Sequence, residues 1–192
     1  MTEQVVTQKL PVTQERHRHR TPDRPGSGPR LVLVGPPGAG KSSVGQVLAK
    51  RWGVDLLDTD QVIEDEQHTT VSDIFVDQGE AVFRRLEEAA VAEALSGHSG
   101  VVAVGGGAIL SERTRDRLAG SPVVFLDVGL AAAAGRIRLG LTRPLLLGNV
   151  RGQLKALLDA RRPLYAEVAS VVVLTDELGV EDVADEVERL LG

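Results

Sequence analysis

The stretch GPPGAGKS, Gly35 to Ser42, carries the residue types of a phosphate site. Glycines at this spacing let the backbone turn tightly, so that several N–H groups can face one anion. The stretch follows an apolar run, LVLVG, and opens KSSVGQVLAKRWG, whose apolar residues have helical spacing. A helix there adds the positive end of its dipole to the site. Lys41 can reach the β- and γ-phosphates of a nucleotide, and the Ser42 hydroxyl can join the shell of Mg²⁺. Gly38, Ala39, Gly40 and Ser43 complete the nucleotide-binding candidates. The plain alternative is a glycine-rich turn with a chance lysine. Motif and context agree on a nucleoside triphosphate, which leaves the phosphoryl acceptor open.

Two acids follow in LLDTD, Asp58 and Asp60. At i and i+2 of a strand they would face one side, toward a common cleft. A site holding Mg²⁺ and Lys41 offsets their repulsion. One carboxylate can then serve the metal, which is the role expected of Asp58. The other, Asp60, can meet an acceptor hydroxyl. The alternative is a solvated turn in which Thr59 or Asp60 caps the helix QVIEDE. Further on, GGG, Gly105 to Gly107, can bring backbone N–H groups against a small ligand or be a flexible turn. Arg84, and Arg161 or Arg162 before PLY, are natural bidentate partners for a carboxylate, or plain surface residues. Arg143 lies in LTRPLLLGNV between Gly140 and Gly148, where a hinged lid could set it over a transferring phosphoryl group.

These residues need a frame. Strand-like runs (LVLVG, VDLLDTD, GVVAVGGG, PVVFLDV, SVVVLT) alternate with helical ones along the chain. The pattern predicts an α/β, three-layer fold of the P-loop NTPase type: a five-stranded parallel sheet with helices on both faces and a mobile lid at about 138–150. A helix break is expected near Gly79 and a proline interruption in VRGQLKALLDARRPLYAEVA. Gly45 should let its helix pack close to the sheet. Residues 1–29 are polar, charged and rich in Pro and Gly, and read as a disordered tail. His17 and His19 there are solvated rather than metal-binding. The folded domain is expected over 30–192.

Composition removes several classes. The chain has 192 residues, 42% hydrophobic but only 3% aromatic, so its core must rest on Val, Leu, Ile and Ala. It has no cysteine, which excludes disulfides, thiolate zinc sites and a cysteine nucleophile. A net charge of −5 argues against broad nucleic-acid binding. No apolar run is long enough for a membrane span, and no signal-peptide core is present. A cytoplasmic monomer is the expectation.

In combination, GPPGAGKS, LLDTD, GEAVFRRLEE, VGGGA, RPLL and RRPLY resemble the shikimate kinase family from about Arg30 to Gly192. The resemblance implies transfer of the γ-phosphoryl group of ATP to the 3-hydroxyl of shikimate, with Mg²⁺, on the way to chorismate and the aromatic amino acids. It implies that Asp58 supports Mg²⁺ and that Asp60 binds the acceptor and orients or deprotonates its hydroxyl. Arg84 and Arg161 would hold the shikimate carboxylate, with Glu87 keeping Arg84 in place. Gly105, Gly106 and Gly107 would form the pocket wall, and Arg143 the lid over the phosphates. Two departures are visible. Arg161 and Arg162 are adjacent, which leaves room for a one-residue slip. LTDELGV carries acids where relatives can place an adenine-contacting arginine, leaving Arg136 as a residue near the base. Another small-molecule P-loop kinase, such as a gluconate kinase, and an ATP-binding regulator without an acceptor are the alternatives.

Overall fold

A computed structural model of the chain describes residues 28–140 and 150–192. Five parallel strands form one sheet in the order β2-β3-β1-β4-β5. They are β1 (Leu31–Val34), β2 (Leu56–Asp58), β3 (Val101–Ala103), β4 (Val123–Asp127) and β5 (Val171–Leu174). Between them run α1 (Lys41–Trp52), α2 (Thr59–Gln67), α3 (Val71–Asp77), α4 (Glu80–Gly97), a 3₁₀ turn (Ala108–Leu110), α5 (Glu112–Leu118), α6 (Leu130–Gly140) and α7 (Val150–Val168). The helix α8 (Val180–Leu191) follows β5.

The three central strands, β1, β3 and β4, are buried on both faces because helices cover both, while β2 and β5 at the edges are partly open. Along β1, Leu31 and Leu33 enter one core cluster, with Leu48 of α1 and Val187 of α8. Val32 and Val34 enter the other, with Val91 of α4 and Tyr165 of α7. The period-2 geometry of a strand produces this split. Burial of each such side chain contributes about 1.5–3 kcal/mol. Gly45 is where α1 meets the sheet, since a Cβ there would lie 2.8 Å from Leu56 Cδ1. Arg51 then ties α8 to α1 through Glu181, Asp185 and Glu188.

A third, smaller cluster of Ile63, Ile74, Phe83 and Ala90 holds α2, α3 and α4 together beside the sheet. The break near Gly79 falls between α3 and α4, with Gly79 at a left-handed φ of 85°. The proline interruption does not occur. One continuous helix, α7, runs through Pro163. Proline removes one backbone hydrogen bond. Contacts of Arg161, Arg162 and Tyr165 on either side of it anchor the helix to the sheet edge. No helix of the described residues is long and apolar enough to cross a membrane. Of the expected tail, only Gly28 and Pro29 fall among the described residues; the core of the expected lid, with Arg143, lies outside them.

Candidate active site

The C-terminal ends of β1, β2, β3 and β4 open onto one cleft, as expected at the strand-order reversal of a doubly wound sheet. After β1 the chain curls through the glycine-rich loop into α1. Gly38 and Gly40 take left-handed φ values of 79° and 92°, which turn the loop into a cradle. Ala39 between them is buried, while Ser42 and Ser43 stand exposed on the first turn of α1. Lys41 Nζ donates to the carbonyls of Gly35 (2.8 Å) and Pro36 (3.2 Å), folding back over the loop. Burial lowers its pKa, and the carboxylates of Asp60 and Asp58 pull the other way. Beside the loop lies a cavity of about 510 Å³, lined by Gly40, Lys41, Ser42, Arg136, Thr175 and Leu178 among others.

The two aspartates face this cleft, but not by strand alternation. The strand ends at Asp58, and Thr59 already begins α2. The helix cap is Asp58 itself, not Thr59 or Asp60: its Oδ1 accepts from the Asp60 N–H at 3.0 Å. Its other oxygen, Oδ2, accepts from the Ser42 hydroxyl at 2.5 Å. Asp58 therefore ties α2 to the phosphate loop. Asp60, one residue into the helix, turns toward the glycines after β3. A Cβ at Gly105 would collide with Asp60 Oδ1. That oxygen is buried and has no hydrogen-bond partner among the described residues. Burial raises the pKa of Asp60, Asp58 raises it further, and Lys41 opposes both. An unpaired buried carboxylate oxygen is costly, and a donor brought by a ligand would relieve it.

Arg84 lies across the same glycines, close enough that a Cβ at Gly107 would overlap its guanidinium. Two carboxylates hold it there. Its Nη1 donates to Glu87 Oε2 at 2.6 Å, while Nε and Nη2 donate to Glu80 Oε1 at 3.2 and 3.0 Å. Phe75 and Phe83 lie 5.5 and 5.4 Å from its guanidinium carbon. Glu87 is almost fully buried, which raises its pKa, and Arg84 counteracts the shift. A second cavity, of about 360 Å³, opens between α4 and α5 beside Arg84 and Glu87.

Arg161 and Arg162 part company. Arg161 Nη1 reaches the Gly106 carbonyl at 3.1 Å, in the cleft. Arg162 turns to the end of β4, where Nη2 and Nε meet Asp127 Oδ1 at 2.9 and 3.2 Å. Arg136 bridges the cradle and the β5 end, donating to the Gly38 carbonyl (3.3 Å) and Thr175 Oγ1 (2.9 Å). Of the acids after β5, Asp176 accepts from the Gly129 N–H, after β4, at 2.6 Å. The structure thus brings Lys41, Ser42, Asp58, Asp60, Arg84, Gly105–Gly107 and Arg161 to one cleft. Three participants escape the motif reading. Thr59 accepts from the Gly105 N–H at 2.9 Å, Glu80 holds Arg84, and the Tyr165 hydroxyl meets Gly106. Each lies inside a stretch quoted above, LLDTD, GEAVFRRLEE or RRPLY, which is the signal that could have found it.

A phosphate loop feeding a cleft lined by an acid and two arginines defines a P-loop kinase acting on a small anionic acceptor. The family model for shikimate kinase matches residues 37–191. The shikimate kinase of Thermobifida fusca is 56% identical over 165 residues, 86% of this chain and 96% of that protein. That of Salinispora arenicola is 52% identical over 163 residues, 85% of this chain and 98% of that protein. The solved shikimate kinase of Acinetobacter baumannii, in complex with shikimate, superposes with a TM-score of 0.79 at 36% identity, covering 86% of this chain and 93% of that one. The chain belongs to the shikimate kinase family. A gluconokinase from Sinorhizobium meliloti, with a TM-score of 0.53 at 24% identity and coverage of 86% and 93%, shares the fold alone.

Proposed function

We infer that the chain transfers the γ-phosphoryl group of ATP to the 3-hydroxyl of shikimate, giving shikimate 3-phosphate and ADP. The observation that carries this reading is Asp60 Oδ1, buried without a partner among the described residues, between the phosphate loop and two arginines. It is the acceptor that an incoming hydroxyl would meet. Family membership supplies the identity of the hydroxyl's owner.

In this reading the backbone from Gly38 to Ser43 cradles the triphosphate and Lys41 leaves its carbonyls for the β- and γ-phosphates. The base lies in the cavity near Arg136 and Leu178. Arg84 and Arg161 grip the shikimate carboxylate, and the Gly105–Gly107 backbone forms the wall beside the ring. Asp60 accepts the hydrogen bond of the 3-hydroxyl and takes its proton as oxygen attacks phosphorus. The bond from phosphorus to the β–γ bridging oxygen breaks, and ADP leaves with that oxygen. Positioning and charge neutralisation carry most of the barrier reduction in such transfers. Arg143, outside the described residues, would add its charge from the lid.

Mg²⁺ fits the donor set. Ser42 Oγ and Asp58 Oδ2 offer two hard oxygens side by side. Among the described residues no cluster of three or more His, Cys, Asp or Glu could cage a metal, so phosphate oxygens and water would fill the shell. When bound, the ion neutralises phosphate charge. Ser42 and Asp58 are the residues that would hold it. The protein acts as a cytoplasmic monomer, without nucleic-acid or membrane partners.

The test is a coupled assay of ADP release with shikimate, gluconate and a nucleoside monophosphate in parallel. Release should depend on shikimate alone, and Arg84→Ala should raise the shikimate KM while leaving that for ATP unchanged. ADP release independent of any acceptor, or faster with gluconate, would overturn the reading.

A further inference from the structure

The mechanism leaves the buried hydroxyl of Tyr165 without a task. Tyr165 sits in α7, four residues after Arg161, and both side chains reach the same atom. The Tyr165 hydroxyl donates to the Gly106 carbonyl at 2.5 Å and Arg161 Nη1 donates to it at 3.1 Å. A carbonyl oxygen has two lone pairs, so both bonds coexist. The ring itself is accounted for by packing, stacked on Phe125 at 5.0 Å between centroids. Phenylalanine would pack equally well there. The hydroxyl needs another reason to be buried.

The two donors differ in freedom. Tyr165 is 1% exposed and its ring is locked in the core. Arg161 is half-buried on a long flexible stem. A substrate carboxylate offers Arg161 a charge-assisted bond, stronger than its bond to a neutral carbonyl. When Arg161 leaves, Gly106 would lose its protein donor if the arginine were alone. Gly106 has little room to rearrange, since a Cβ there would already stand 3.2 Å from Pro37 Cδ of the phosphate loop.

We propose that Tyr165 is a positioning residue for the acceptor, holding the Gly106 carbonyl so that Arg161 is free to leave it for the substrate carboxylate. This rests on the reading of Arg161 as an acceptor arginine. The fixed bond also keeps the three-glycine wall in one conformation whether Arg161 is parked or engaged. That includes Gly105, whose N–H stays on Thr59. Burial pushes the Tyr165 phenol up to about 12, so it remains a donor throughout the working pH range.

The experiment is steady-state kinetics on the full chain with Tyr165→Phe, Arg161→Ala and the double variant, well below every Tm. In Tyr165→Phe, Arg161 becomes the sole donor to Gly106 and is held back. The shikimate KM should rise roughly three- to tenfold, the size expected of one hydrogen bond, with kcat and the ATP KM nearly unchanged. In the Arg161→Ala background the same substitution should add nothing, because no arginine remains to be released. An unchanged shikimate KM in Tyr165→Phe, or an equal penalty in both backgrounds, overturns the proposal. If Arg161→Ala itself leaves the shikimate KM unchanged, the acceptor reading of Arg161 fails instead.

Discussion

The two halves of the cleft are built by opposite means. The nucleotide half is eight consecutive residues, Gly35 to Ser42, working through backbone geometry and one lysine. The acceptor half is gathered from α2, α4, the turn after β3, and α7, and works through long side chains that restrain one another. The first is stiff because its atoms are backbone packed on backbone. The second is adjustable because its parts are arginines and carboxylates at the ends of flexible stems. Damage to the first should therefore show as lost stability and nucleotide binding. Damage to the second should show as lost turnover or shikimate affinity in a folded protein.

The sharpest test of that division is Asp60→Asn. With Asp60 as the proposed general base, its loss should cost roughly 10²–10⁴-fold in kcat, while nucleotide binding should persist. Stability should move the other way. The pKa of Asp60 is raised in the folded protein, by burial first and Asp58 second. A carboxyl with a raised folded pKa stabilises the fold below its unfolded pKa, and that contribution is lost as pH rises through the folded value. Above its unfolded pKa, Asp60 is thus a net burden on the fold, and asparagine removes it. The Tm of the metal-free, ligand-free variant should exceed that of the parent at pH 7, with the gain shrinking as pH falls. A variant that turns over normally, or one that melts lower at pH 7, would break the comparison.

Paired glycine substitutions come next. In Gly35→Ala the new Cβ would stand 2.5 Å from the Leu126 carbonyl, at a φ of 152°. Neither backbone can yield, so a loss of about 2–3 kcal/mol is expected, read as a lower Tm and weaker ATP binding. In Gly107→Ala the Cβ meets the guanidinium of Arg84, the mobile end of a side chain. The fold should survive, with Arg84 displaced and the shikimate KM up by roughly tenfold, the worth of a charged hydrogen bond. Equal Tm losses in the two variants would show that the acceptor half is as rigid as the cradle.

The same contrast explains what the sequence disclosed. The cradle is contiguous, so motif and context could pick out the loop that joins β1 to α1, and the alternating strand and helix runs placed it in the right sheet. The acceptor residues were legible as types in order, through the family resemblance, but not as contacts. Thr59 hides between two conspicuous acids, and its bond to Gly105 depends on how β2 and β3 align. Asp58 and Asp60 were expected to share a side by strand alternation, whereas α2 begins at Thr59 and the helix turn brings them together. Pro163 suggested an interruption that three flanking tertiary contacts override. Such outcomes depend on neighbours distant in sequence, which no local pattern encodes.

The smallest effect is expected where two arginines adjoin. The structure sends Arg161 to the Gly106 carbonyl and Arg162 away from the three glycines, to Asp127 at the end of β4. The Arg162 side chain is 54% exposed, so solvent screens its ion pair and the pair is worth less than about 1 kcal/mol. Arg162→Ala should lower Tm slightly and change the shikimate KM by less than about threefold, the limit set by so weak a pair. Arg161→Ala, measured beside it, should raise that KM far more if, as proposed, Arg161 is a direct partner of the substrate carboxylate. Adjacent residues on a helix point about 100° apart. Only one of the two can face the cleft without rotating α7, and rotation would pull Tyr165 from Gly106. If Arg162→Ala proved the more damaging to shikimate affinity, α7 would have to turn on substrate binding, and the acceptor half would be looser still than its resting contacts suggest.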